Sequence, residues 1–320
     1  MNEQTFIRSR KQFWDEFEGV INGGTGEIRA YARRFPRSFR EITQDLNTAK
    51  AHGFDPALIN RLNYLALEGN QILYGGRTWS LKEGAGFIFR TFPQTVRAQW
   101  RGLGIAHLIF YGLGLFFFFA CLRFPSLVYE IMPETQVLDL ENMYNPASGR
   151  YLTPRDVGSD ADMFGFYIYN NVSIAFRTFA GGILAGVGSL LLLCFNGIFL
   201  GAAAGHIVNR GFGMTFFPFI IAHSAFELTA IILSAQAGLL LGFRLLVTQG
   251  LSRRASLRRA GKTALPLIAG SALFLVLAAV IEAFWSSRHG MPPFIRYGAG
   301  ATAWVLVLSY FTCAGRQKRR

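Results

Sequence analysis

Long apolar runs are the feature that most restricts how this chain can fold. A helical run of about 20 apolar residues matches the hydrocarbon thickness of a bilayer, and the sequence contains several such runs. Charged residues make up only 16% of the chain, whereas soluble domains carry about 25%. Because backbone groups inside lipid must be hydrogen-bonded within the protein, the runs predict helices. The expected fold is therefore an all-α, polytopic membrane helix bundle.

Six membrane segments are predicted, at 102–122, 166–193, 197–209, 216–243, 264–285 and 297–314. The region 166–209 is too long for one crossing, and Asn196-Gly197 is the only turn signal inside it. A helix from 197 to 209 would be only about 20 Å long at helical rise. This third segment is therefore expected either to cross at a tilt or to re-enter the membrane.

The charges around these segments predict their orientation. Residues 1–101 form a basic, helical region that is expected in the cytoplasm, ahead of a transmembrane domain at 102–320. The connection 123–163 is acidic and is expected outside, whereas the loop 252–262 is basic and is expected inside. Six crossings then place both termini in the cytoplasm. The net charge of +13 is explained by basic residues on the cytoplasmic side, which hold the topology and favour contact with the anionic lipid bilayer. No nucleic-acid partner is therefore expected.

Two ionisable residues, His223 and Glu227, interrupt the fourth apolar segment in the stretch HSAFEL. Their four-residue spacing places both side chains on one face of a helix. Asn170, Asn171 and Asn196 are further polar groups in apolar surroundings. One interpretation is an intramembrane polar site, such as a proton relay, a polar gate or a metal site. The other is a set of hydrogen bonds that hold neighbouring helices together.

No metal or cofactor is predicted from these residues. The pattern HxxxE is not the HExxH of zinc proteases, and a metal would need further ligands. His107 and His206 are available but lie on other segments, and Glu282 is expected at the membrane interface. The sequence also lacks GxxxxGK[ST] and GxSxG motifs, so it indicates no enzyme.

Glycines spaced four apart indicate close helix packing in the middle of the chain. Small residues at this spacing allow the backbones of membrane helices to approach each other. The packing is expected within one chain, with a homodimer interface as the alternative. The residues concerned are Gly182, Gly186, Gly197, Gly201 and Gly205.

The order of these motifs resembles the stage II sporulation protein M family, the DUF95 membrane proteins. The run NN…F…GG…G…NG…G begins at Asn170 and is followed by HSAFEL at 223–228, where Ser224 replaces a glycine of the family motif. The N-terminal region is similar as well. Its matching positions are Trp14, Leu62, Asn63, Leu65, Tyr74, Phe92 and Pro93.

The resemblance implies a multi-pass protein of the bacterial inner membrane. Sporulation members of the family act with peptidoglycan-degrading partners, and many relatives lie beside genes for RDD-type membrane proteins and MoxR-type ATPases. The first hypothesis is therefore a non-enzymatic scaffold that binds other membrane or envelope proteins. The alternative is a transporter or channel subunit with a polar His/Glu/Asn pathway. A cavity lined by His223 and Glu227 would favour transport, whereas a dry bundle would favour a scaffold.

Overall fold

The computed structural model describes residues 2–74, 80–148, 157–288 and 290–316. Every regular element within these ranges is helical, which confirms the predicted all-α class. The chain divides into two compact units, Met1–Ser80 and Leu81–Arg320. Residues 81–101, which the sequence analysis grouped with the N-terminal region, belong to the second unit.

Among its described residues, the first unit contains four helices around an apolar core. They are α1 (Glu3–Asn22), α2 (Gly24–Tyr31), α3 (Phe35–Ala51) and α4 (Pro56–Tyr74). Asp55 caps the start of α4, because its Oδ1 accepts a hydrogen bond from the amide of Ala57 at 2.6 Å. The largest fully buried side chains of this core are Trp14, Phe17, Ile42, Leu62 and Leu65.

The second unit begins with α5 (Leu81–Gly86), a π-helical turn (Phe87–Thr91) and α6 (Phe92–Ala98). Phe92 is fully buried and packs edge-on against Phe274 and Phe311. The guanidinium of Arg97 donates to the carbonyl of Phe311 at 2.7 Å. These contacts fix the segment to the C-terminal helices.

The remaining elements of the second unit include the long apolar helices. They are α7 (Trp100–Arg123), α8 (Leu127–Ile131), α9 (Glu134–Tyr144), α10 (Val157–Ala180), α11 (Val187–Asn209), α12 (Gly213–Leu246), α13 (Arg253–Ile281) with a π-helical turn at Glu282–Ser286, and α14 (Pro293–Cys313). Among the described residues, four helical stretches are long and apolar enough to cross a membrane: Trp100–Arg123, Val187–Asn209, Gly213–Leu246 and Arg253–Ser286.

The predicted helix break at Asn196-Gly197 is wrong. The chain instead turns after α10, through a short 3₁₀ turn at Gly181–Ile183 and through Gly186, whose φ of 87° suits glycine. Asn196 lies within α11, where its Nδ2 donates to the carbonyl of Leu192 at 2.7 Å. The helix has 23 residues and is roughly 35 Å long, so the predicted short or re-entrant helix at 197–209 is a full-length helix.

Glycines allow α7 and α11 to pack with their backbones in close approach. A methyl group added at Gly197, Gly201 or Gly205 would lie 2.5, 2.0 or 2.4 Å from the carbonyl oxygens of Phe110, Gly114 and Phe118 respectively. The paired residue numbers rise together along both helices. The two helices are therefore parallel, and α10 lies between them in the chain.

The other long helices complete the bundle. Helices α12 and α13 are antiparallel, with Ser234 bonded to Ser271 at 2.7 Å and Ser256 bonded to the carbonyl of Arg244 at 2.8 Å. The end of α10 reaches α12, since a methyl group at Gly182 would meet the carbonyl of Gly238. This packing leaves an internal space between α7, α10, α11 and α12.

Candidate functional site

A cavity of about 540 Å³ lies inside the second unit. Its walls come from α7, α9, α10, α11, α12 and the π-helical turn at Glu282–Ser286. The volume falls within the range of small-molecule sites. Leu115 of α7 lines the cavity and is 59% exposed, so the cavity reaches the surface of the bundle there.

Most of the wall is apolar, and a few polar side chains are grouped on it. Aromatic and aliphatic residues such as Phe110, Phe219 and Ile231 form the greater part of the lining. The polar side chains in the lining are those of Tyr111, Tyr144, Asn170, Asn196, His223, Ser224, Glu227 and Glu282. No Lys or Arg is present among the described residues that line it. The cavity therefore offers carboxylates and neutral polar groups to a ligand.

His223, Glu227 and Glu282 form the most compact polar group of the cavity. One ligand-type atom from each residue lies within 4.8 Å of those of the other two. Nε2 of His223 is 3.9 Å from Oε2 of Glu227, which is too long for a hydrogen bond. The predicted i,i+4 pair thus shares a helix face, with a gap between the two groups.

The ring of His223 is held from its other side. Nδ1 lies 3.2 Å from Oγ of Ser286, and Phe219 packs edge-on at a centroid distance of 5.5 Å. The side chain is 95% buried. These contacts fix the imidazole, whose Nε2 lies on the side of Glu227.

The three predicted asparagines have different positions. Asn170 and Asn196 line the cavity, on α10 and α11 respectively. Asn171 is buried beside it and accepts a hydrogen bond from Nδ2 of Asn170 at 3.1 Å. Its own Nδ2 is buried without a partner among the described residues, as is the hydroxyl of Tyr111 on the cavity wall.

Helix α9 covers one end of the cavity through Leu140 and Tyr144. The hydroxyl of Thr215 donates to the carbonyl of Tyr144 at 2.6 Å, which ties α9 to the start of α12. Burial raises the pKa of Tyr144, and the nearby carboxylates of Glu282 and Glu227 act in the same direction. Its phenol is therefore neutral at physiological pH.

The other two histidines considered as ligands lie outside this cluster. Nδ1 of His107 is 2.7 Å from the carbonyl of Leu103 in its own helix. Nε2 of His206 donates to Oε1 of Glu141 at 2.7 Å, and Arg210 binds the same oxygen at 3.2 Å. His206 therefore connects α11 to α9.

Glu282 is a residue that the sequence analysis did not include in the polar site. It lines the cavity beside His223 and Glu227, whereas the sequence indicated only a position near the membrane interface. Ser286, which holds the histidine ring, was not singled out. The available signal was that Glu282 is the only acidic residue in the apolar stretch 264–285, because a carboxylate in such a segment usually faces a protein interior.

Comparison with known protein families identifies the second unit. The model of stage II sporulation protein M matches residues 106–287, which is more than half of the chain. This chain belongs to the stage II sporulation protein M family. The family expected from the motif order is thereby confirmed, and with it the membrane character of the chain.

The region matched to stage II sporulation protein M includes every described residue of the cavity lining, from Phe110 to Glu282. The N-terminal unit is matched separately, by a domain of unknown function (DUF8413) over residues 4–75. No curated protein and no solved structure matches the chain. The cavity is thus a feature of the family's own region in this chain.

Proposed function

We propose that the chain is a membrane transport component whose cavity holds a small cation on its way across the bilayer. The observation that carries this proposal is the joint position of His223, Glu227, Glu282, Asn170 and Asn196 on one cavity inside a membrane helix bundle. Ionisable groups in membrane segments are costly and usually belong to ion or proton pathways. A lining with carboxylates favours a cationic solute.

The proposed topology has six crossings, with both termini in the cytoplasm. The parallel packing of α7 and α11 supports it, because α10 must then return across the bundle between them. The basic start of α13, with Arg253, Arg254, Arg258 and Arg259, suits the cytoplasmic side. Helix α9 then lies outside, so the cavity is covered from the external face.

Cysteine labelling of intact cells tests this topology. The three native cysteines are replaced by alanine, and a single cysteine is introduced at Gln136 in α9 or at the exposed Leu251. A membrane-impermeant maleimide should label Gln136→Cys in intact cells and Leu251→Cys only after lysis. Labelling of both positions in intact cells would contradict six crossings.

Transport is tested with purified full-length protein in liposomes, with H⁺, Na⁺ and Mn²⁺ as probes. Wild type should carry at least one of them faster than empty liposomes, and Glu227→Gln should reduce that flux about tenfold or more, because it removes a charge from the pathway. Glu130→Gln, at an exposed carboxylate of α8, is the matched control. No flux of any probe, or equal flux in Glu227→Gln, would contradict the proposal.

A scaffold of an envelope complex, with a role in peptidoglycan remodelling, is the second candidate. It is favoured by the separate N-terminal unit, whose surface carries exposed arginines suited to an acidic partner or anionic lipid: Arg29, Arg33, Arg34, Arg37 and Arg40. In both candidates the chain acts without catalysing a reaction. In a scaffold, the binding of partner proteins should not depend on the residues of the cavity.

Crosslinking in native membranes separates the two candidates. A scaffold predicts proteins that co-purify equally with wild type and Glu227→Gln but are lost when residues 1–80 are removed. Recovery of the chain alone, or as a homodimer only, would contradict the scaffold. A flux that is lost in Glu227→Gln while co-purification is unchanged would favour transport.

A further inference from the structure

We propose that His223, Glu227 and Glu282 bind a divalent transition-metal ion, for which Mn²⁺ and Zn²⁺ are suitable probes. The inference uses the same cavity as the proposed transport function, but it requires only binding and no movement across the membrane. It rests on the geometry of the three side chains, on the way His223 is held, and on the charge of the cavity.

The three side chains have the separation that a shared ion requires. Their ligand atoms lie within 4.8 Å of one another, and Nε2 of His223 is 3.9 Å from Oε2 of Glu227. Two ligands of a tetrahedral zinc ion, each about 2 Å from the metal, are roughly 3.3 Å apart. Small side-chain rotations bring the observed distances to this value. A direct hydrogen bond between His223 and Glu227 would require a shorter distance than this 3.9 Å.

His223 is held as a metal-binding histidine usually is. Its Nδ1 is bonded to Oγ of Ser286 at 3.2 Å, which fixes the ring and leaves Nε2 on the side of Glu227. Metal-bound histidines almost always hydrogen-bond through the second nitrogen in this way. Among the described residues, Nε2 has no hydrogen-bond partner of its own. The π-helical turn Glu282–Ser286 supplies both Glu282 and Ser286.

The charge of Glu227 favours a cation in the cavity. Among the described residues, no Lys or Arg lines the cavity or forms an ion pair with Glu227. The side chain of Glu227 is only 22% exposed, so water screens its charge poorly. A metal ion beside Glu227 would balance this charge.

The mixture of ligands selects the kind of metal. Mg²⁺ and Ca²⁺ prefer oxygen ligands alone, whereas one imidazole with two carboxylates suits Zn²⁺, Mn²⁺ or Fe²⁺. Three protein ligands leave at least one coordination position, and the adjoining cavity provides room for water there. Asn170 and Asn196 line the same cavity.

The binding experiment uses the full-length protein in lipid nanodiscs, titrated with Mn²⁺ and followed by electron paramagnetic resonance. Wild type should bind one Mn²⁺ with a nitrogen hyperfine coupling from His223, and Zn²⁺ should displace it while Mg²⁺ in excess should not. Glu227→Gln and Glu282→Gln should each weaken binding about tenfold or more, because each removes a ligand. Ser286→Ala should weaken Mn²⁺ binding by about 10–100-fold, because the ring of His223 loses the hydrogen bond that orients it.

Two further variants keep the result interpretable. Glu130→Gln should leave Mn²⁺ affinity unchanged, and His223→Gln should remove the nitrogen coupling. Folding of every variant is checked by circular dichroism and gel filtration. No saturable Mn²⁺ site, or equal affinity in wild type, Glu227→Gln and Glu282→Gln, would overturn the metal site. Binding of Mn²⁺ without flux of any probe would support the metal site and contradict transport. Flux without binding of Mn²⁺ would support transport and contradict the metal site.

Discussion

At the scale of single residues, Asp45 shows how a buried charge holds the N-terminal unit together. Its Oδ2 accepts hydrogen bonds from Nε1 of Trp14 and from Nε of Arg10, both at 2.8 Å. Asp45 is 7% exposed and Trp14 is fully buried. Both donors belong to α1 and the acceptor belongs to α3, so this carboxylate connects two helices that are distant in sequence.

Replacing Asp45 with alanine should destabilise this unit by about 1–3 kcal/mol, because it leaves the buried indole N–H of Trp14 without its acceptor, whereas Arg10 keeps Glu41 as a partner. Asp45→Asn keeps an acceptor for Trp14 and should cost less. Urea unfolding followed by circular dichroism measures both. Glu16→Gln, at an exposed carboxylate of α1, is the control. Equal stability of wild type and Asp45→Ala would show that the bonds do not contribute.

Glu141 is a second residue that connects two helices. It accepts a hydrogen bond from His206 and pairs with Arg210, which attaches α9 to the end of α11. Glu141→Gln should destabilise the packing of α9 on α11 by about 1–3 kcal/mol, because hydrogen bonds to a charged group are stronger than those between neutral groups.

Hydrogen–deuterium exchange in nanodiscs tests the loosening of α9. Peptides that cover α9 should exchange roughly 5- to 150-fold faster in Glu141→Gln, because about 1–3 kcal/mol corresponds to this range of equilibrium constants. Glu134→Gln, an exposed carboxylate in the same helix, should leave the exchange unchanged. Faster exchange in both variants would point to an effect of charge on the whole helix and not to the contact with His206.

Sequence reasoning located the polar site only in part at this scale. His223 and Glu227 could be identified because an ionisable pair in an apolar helix is rare and its i,i+4 spacing defines a face. Ser286 could not, since a serine in a membrane segment is common. Its role depends on the antiparallel packing of α12 and α13, which brings residue 286 to residue 223. Such pairings across helices are not encoded in local spacing.

At the scale of helices, the packing of α7 on α11 decides the position of the membrane segments. Asn196-Gly197 is a turn signal in isolation, but Gly197 packs against the backbone of Phe110 and Asn196 bonds within its own helix. Tertiary contact therefore overrides the local preference. Gly182 and Gly186, which the sequence assigned to close helix packing, lie in the turn instead. Gly182 also packs closely, because a methyl group there would meet the carbonyl of Gly238.

Gly201→Ala should weaken the α7–α11 contact. The added methyl group would lie 2.0 Å from the carbonyl oxygen of Gly114, so the helices must separate, at a cost of roughly 1–3 kcal/mol. Gly112→Ala in α7 is a matched control, because a methyl group there meets no atom within 4 Å. Thermal unfolding in detergent should show a lower midpoint for Gly201→Ala only. A lower midpoint in Gly112→Ala would contradict this explanation.

At the scale of the whole molecule, the two compact units have separate cores and separate family matches. The N-terminal unit buries its own aromatic and aliphatic residues, including Trp14, Phe17 and Leu62. It is matched as a domain over 4–75, whereas the family match to the membrane unit starts at residue 106. The division of the chain near residue 80 is thus supported by packing and by comparison.

A fragment of residues 2–80 should fold in water without the membrane unit. Its helices bury a continuous apolar core and expose charged faces, which is sufficient for a small domain of this size. Circular dichroism should show a helical spectrum and a cooperative urea transition, which Leu62→Ala should shift by about 2–5 kcal/mol. A fragment that is unfolded or aggregates in water would contradict the prediction.

The parallel arrangement of α7 and α11 has a consequence for biosynthesis. Helices that leave the ribosome one after the other can pair at once when they are antiparallel, but α7 must wait for α11. More than sixty residues separate the end of α7 from the start of α11. Until these residues have been synthesised, the face of α7 with Phe110, Gly114 and Phe118 lies against lipid or the insertion machinery. The cavity and its carboxylates are therefore assembled late, after the bundle has closed around α10.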